Sequence, residues 1–88
     1  MLRLTHTTRL PHDVILLVEG QIVAEWVELL EAECLTLLQT DQNVLLDLSR
    51  VSYLDRRAAR LLRDLAARSV KLINCPPLVA DLVKEDAS

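Results

Sequence analysis

Val14 to Val18 is a continuous apolar run of strand length, and Val44 to Leu48 is another, broken only by Asp47. Between them Val23, Trp26, Val27, Leu30, Cys34, Leu37 and Leu38 recur at three- and four-residue spacing, which predicts a helix over roughly 22–39 with Trp26 packed on the sheet. Strands separated by a helix of this length pair in parallel, because a parallel pair needs a crossover of about a dozen residues or more. The alternation therefore confines the chain to an α/β fold. The near absence of alternation in 44–48 further predicts a strand covered on both faces.

The same logic extends along the chain. LRLTHTT, residues 2–8, reads as an edge strand, and RLPHD, residues 9–13, carries the turn chemistry of Pro11 and Asp13, so the first two strands form a hairpin. Gly20, the only glycine, falls between the second strand and the first helix, where tolerance of positive φ is useful. TDQN at 40–43 is a polar break. Asp55 is placed to cap a second helix, in which Ala58, Leu61, Leu62, Leu65 and Ala66 make the apolar stripe and Arg56, Arg60 and Arg63 point outward. Val70 to Ile73 is a fourth strand. Pro76 and Pro77 open a third helix, where a missing N–H costs nothing, with Leu78, Val79, Leu82 and Val83 on its buried side. The closing KEDAS is polar and frayed. The expectation is one domain over 1–88, built on a four-stranded mixed sheet in the order 1-2-3-4 with an antiparallel first strand at the edge.

A chain of 88 residues has room for one small core, and with no Phe, one Trp and one Tyr that core is made mainly of Leu and Val. The net charge of −3 argues against a protein whose task is neutralising nucleic-acid phosphates. The charge is unevenly spread. Glu19, Glu25, Glu28, Glu31 and Glu33 stand together without a basic residue, whereas Arg50, Arg56, Arg57, Arg60, Arg63, Arg68 and Lys71 face only Asp55 and Asp64 across 50–71. One helix is acidic and the next basic. No apolar run reaches the roughly 20 residues of a membrane span, there is no signal-peptide pattern, and Cys34 and Cys75 form no CxxC, so a reducing, cytoplasmic setting is expected.

Catalytic chemistry finds little support. Cys75, at a strand end before a helix, is the one candidate nucleophile, since a helix amino terminus lowers a thiol pKa, but neither His6 nor His12 is placed as its base. Cys34 belongs to the apolar stripe of the first helix. Asp47 reads as a hydrogen-bonded strand residue without a paired carboxylate. The histidines and cysteines lack metal-ligand spacing, and one glycine cannot make a phosphate loop. The anomaly is Arg56 and Arg57 in the first helical turn, where the macrodipole disfavours cations. Either they belong to a solvated face paired with the acidic helix, or they dock an acidic partner.

VLLDLSRVSYLD at 44–55, Gly20, and VKLINCPPLVADLV at 70–83 together resemble the STAS domain, the fold of bacterial anti-sigma factor antagonists and related signalling modules. In switching members of that family the loop Asp is followed by Ser-Ser-Gly or Ser-Thr-Gly, and the second hydroxyl residue takes a phosphate from a kinase. By the resemblance Asp55 matches the loop Asp, Arg57 occupies the phosphoacceptor position and Ala58 replaces the Gly, so the acceptor is lost, although Ser49 and Ser52 remain nearby hydroxyls. The resemblance implies a non-enzymatic module of transcription regulation or another signalling pathway. Its docking surface comprises Tyr53, Asp55, Arg56, Arg57, Arg60 and Arg63, and it needs no cofactor. The partner it implies is an anti-sigma kinase-like protein or the ATPase of a lipid-transport ABC complex. The family fold usually continues beyond the helix matched here, so cover of that end of the core by self-association into a homodimer or by a partner is a further expectation. An alternative use is sensing a nucleotide or another anion at the arginine-bearing helix start.

Overall fold

The computed structural model describes residues 2–10, 12–40 and 42–85. Seven elements succeed one another: β1 (Leu2–Leu10), β2 (Asp13–Ile22), α1 (Glu25–Leu38), β3 (Asn43–Leu54), α2 (Arg56–Ala67), β4 (Lys71–Ile73) and α3 (Pro77–Glu85). They build a four-stranded sheet in the order β1-β2-β3-β4. β1 runs antiparallel to β2, while β2, β3 and β4 are parallel. Element order, sheet order and strand direction are those expected from the sequence. Pro11 in the expected turn, Asp41 in the polar break and residues 86–88 of the expected frayed end lie outside the described residues.

Both central strands are longer than their apolar runs. β2 continues through Gly20 to Ile22, and β3 continues through LSRVSYL to Leu54. Thus 49–54, beyond the strand expected over 44–48 and before the loop Asp of the resemblance, is strand rather than loop. The period-2 pattern fails there because the β2–β3 register shifts twice, between Leu17 and Glu19 and between Gly20 and Gln21. Inward-facing positions consequently move from Leu48 to Val51 and Leu54, all three buried. Gly20 sits at the second shift with φ 106, so its conformational freedom serves an irregularity inside the strand rather than the exit from it. Because Gln21 and Ile22 remain paired with Tyr53 and Leu54, α1 begins only at Glu25.

Val14, Leu16 and Val18 of β2 and Val44, Leu46 and Leu48 of β3 are buried, while the alternate residues Ile15, Leu17, Leu45 and Asp47 are half-buried. β3 is therefore fully covered on one face only, contrary to the expectation from its apolar run. A sheet whose parallel strands follow in sequence order takes crossovers of one hand, which bring the connecting helices to one face. That face meets Leu30 and Cys34 of α1, Leu62 and Leu65 of α2 and Val79 of α3 in a single core. Trp26 is half-buried and packs at the margin of that core. Two residues expected on buried stripes face outward. Ala66 is exposed and Ala59 buried in its stead, and Leu78 is 57% exposed because α3 turns Val79 inward.

Candidate functional site

β3 passes directly into α2, so Tyr53, Asp55, Arg56 and Arg57 gather at the carboxyl end of the parallel strands, where α/β sheets commonly place their working groups. Asp55 is the N-cap of α2, in extended conformation, and its Oδ1 accepts the Ala58 N–H at 2.9 Å. Its Oδ2 accepts the Ala24 N–H at 3.0 Å. Ala24 is the N-cap of α1, has φ 51 and offers no capping side chain of its own. A backbone bond from the Asp55 N–H to the Ile22 carbonyl at 3.2 Å completes the tie. One carboxylate thus fixes the starts of two helices. The cap was foreseen from the sequence, but the second acceptor role was not, since nothing in the chain marks a bond to a distant alanine amide.

Tyr53 is 47% exposed at the end of β3, between buried Val51 and Leu54. Arg56, Arg57 and Arg60 are exposed, and Arg63 is half-buried, a correction to its expected outward position. The Arg57 guanidinium pairs with the Glu28 carboxylate of α1 at 3.4 Å, with both side chains mostly in water. The acidic and basic helices therefore lie side by side. Between them runs a groove of about 240 Å³ lined by Val27, Glu31, Arg57, Arg60, Leu61 and Asp64. The Arg57–Glu28 contact is the pairing with the acidic helix that the sequence offers as one of two readings of the arginines, and Arg57, Arg60 and Glu31 line the groove together.

The candidate chemical residues sit as follows. Burial raises the Cys75 thiol pKa, the reverse of what a nucleophile at a helix start requires. Cys34 is fully buried, and its thiol is pushed up to about 12, first by burial and then by the neighbouring Glu33. Burial opposes ionisation of Asp47. It is outweighed by hydrogen bonds from Ser49, whose N–H donates at 2.9 Å, and from Asn74 Nδ2 at 3.3 Å, together with the Arg50 charge, and the pKa is lowered. This is the hydrogen-bonded strand residue expected. His6 Nε2 pairs with Glu33 Oε1 at 2.7 Å, linking β1 to α1. Among the described residues no group of three or more His, Cys, Asp or Glu is arranged to hold a metal ion. No helix of the described residues is long and apolar enough to cross a membrane.

A four-stranded sheet with one antiparallel edge, three helices and an Asp-capped second helix at the carboxyl end of the central strand defines a known class, the STAS domain. The STAS family matches residues 5–83, and the chain belongs to it. Among solved structures, the anti-sigma factor antagonist SpoIIAA in its unphosphorylated form is similar, with a TM-score of 0.68 and 19% identity over 93% of this chain and 82% of that chain. Mglu is similar with a TM-score of 0.58 and 28% identity over 74% of this chain and 17% of that one, so the matched part is a small segment of a longer protein. No curated protein matches the chain by sequence. The likeness to SpoIIAA establishes the fold. STAS domains of this fold are generally non-enzymatic interaction modules.

Proposed function

We propose that this STAS domain is a non-enzymatic docking module that engages an acidic surface of a protein partner through Tyr53, Asp55 and the arginines of α2. The observation that carries the reading is the pair Arg56 and Arg57, exposed in the first turn of α2, where the helix dipole disfavours cations. The helix dipole gives no reason for cations at these two positions. The Arg57–Glu28 pair belongs to the other reading, a solvated face paired with the acidic helix, but at about 0–1 kcal/mol an ion pair this exposed leaves Arg57 available to a partner. The phosphoacceptor position of the family holds Arg57, so binding is not switched by phosphate there. The partner class that fits is an anti-sigma kinase-like protein or a transporter ATPase, acting in the cytoplasm.

The deciding experiment measures the melting temperature of Arg56→Ser/Arg57→Ser and its affinity for a kinase-like or ATPase protein encoded beside this chain. Docking predicts an unchanged or slightly raised melting temperature and weaker binding. The difference in affinity between parent and variant shrinks at high salt, since exposed charges are screened over about 8–10 Å near physiological ionic strength. A less stable variant with unchanged affinity overturns the reading.

A further inference from the structure

The α1–α2 groove has walls of opposite sign over an apolar floor. Val27 and Leu61, 5% and 6% exposed, form the floor. Glu31 makes one wall; Glu28, three residues earlier on the same side of α1, lies outside the lining but pairs with Arg57, and no basic residue occurs in that helix. Arg57 and Arg60, likewise three apart, make the other, with Asp64 ending the basic run one turn further on. The groove, about 240 Å³, is open to solvent along its length, so an occupant lies across it on the surface of the two helices.

We propose that this groove seats an amphipathic helix of the partner, with an apolar seam flanked by basic side chains on one side and acidic side chains on the other. This rests on the docking reading above and names the partner element. A third helix laid over two packed helices continues their ridge-and-groove packing, the mode in which grooves commonly take helical peptides. The basic flank meets Glu28 and Glu31, and the acidic flank meets Arg57 and Arg60. The Arg57–Glu28 pair spans the two walls, with side chains 61% and 72% exposed, and it exchanges for these contacts at little cost. Because the walls differ in sign, the flanks also fix the direction in which the helix lies.

Three synthetic helices with the same leucine seam, carrying two-signed, all-acidic or all-basic flanks, are titrated into the isotope-labelled full chain and followed by amide shifts. The two-signed helix is expected to bind at least tenfold tighter than either other, moving the amides of Val27, Glu31, Leu61 and Asp64. Glu31→Lys, at an exposed position and checked for an unchanged melting temperature, is expected to cost the two-signed helix roughly tenfold and to favour the all-acidic one. If the all-acidic helix binds the parent as well or better, the two-walled groove is overturned while the arginine docking face stands. Absence of groove shifts with all three also overturns it, and the Arg56→Ser/Arg57→Ser affinity then judges the docking face independently.

Discussion

The Ala24 N–H donates to Asp55 Oδ2 at 3.0 Å across 31 positions of sequence, so the residue that opens α1 is held by the residue that opens α2. Ala24 stands at φ 51, a left-handed conformation that its Cβ disfavours and that persists where the surroundings over-determine it. Asp55 supplies that constraint from the opposite crossover.

Asp55→Ala is therefore expected to cost more than an ordinary cap. Loss of the α2 cap alone removes about 1 kcal/mol, and release of the Ala24 amide brings the total to about 1–3 kcal/mol. For a domain of this length each kcal/mol lowers the melting temperature by about 4–8 °C. Ala24→Gly, which relieves the φ penalty, should recover part of the loss in the Asp55→Ala background, and thermal melts of the four variants check this.

A double-mutant cycle on Glu28→Gln and Arg57→Ser should give a coupling of at most about 1 kcal/mol, because both side chains are mostly in water. Urea melts at low and high salt measure it. A larger coupling would transfer the purpose of Arg57 from docking to stability.

Stability should fall with alkaline pH through Cys34. Its thiol titrates at about 12 in the fold against 9.0 as the ordinary value, so above pH 9 the unfolded chain gives up a proton that the folded chain keeps. The contribution is complete below about pH 9 and is lost progressively toward pH 12. In urea melts between pH 8.5 and 10.5 the parent should lose stability more steeply than Cys34→Ala, whose cavity lowers the whole curve without adding a slope. Equal slopes would contradict the burial of this thiol.

Trp26→Ala should destabilise by less than the roughly 3–5 kcal/mol of a fully buried aromatic, because Trp26 is only half-buried at the core margin. Leu30→Ala, at a fully buried position of the same helix, should be the more damaging change. Paired denaturation curves rank the two.

Incubation with an anti-sigma-type kinase and ATP should leave the mass of the chain unchanged, since Arg57 cannot accept phosphate. Phosphate mapped to Ser49 or Ser52, both exposed on β3, would restore a switch to this module.

The strand and helix order was legible because apolar runs and helical spacing report which residues face a core. The ends of the strands were not. Arg50 and Ser49 break the alternation of β3, and only the paired register shifts beside Gly20 explain how Val51 and Leu54 return to the interior. Leu78 was misplaced because α3 begins with adjacent apolar residues and periodicity over so short a helix leaves its phase open. Asp55 could be read as a cap from its own neighbourhood, whereas its bond to Ala24 and the Arg57–Glu28 contact depend on how two crossovers meet. Long-range partners of this kind leave no local pattern.

The sheet also sets the order in which the chain can assemble. β1 and β2 close on each other as a local hairpin, a microsecond event, whereas β2–β3 and β3–β4 pairing must wait for an intervening helix and closure of a long loop. During synthesis the hairpin emerges before β3, so the VILLV edge of β2 stays unpaired until Asn43 and the residues after it arrive. Until then the β2 edge presents unpaired backbone groups to which a strand of another chain could add.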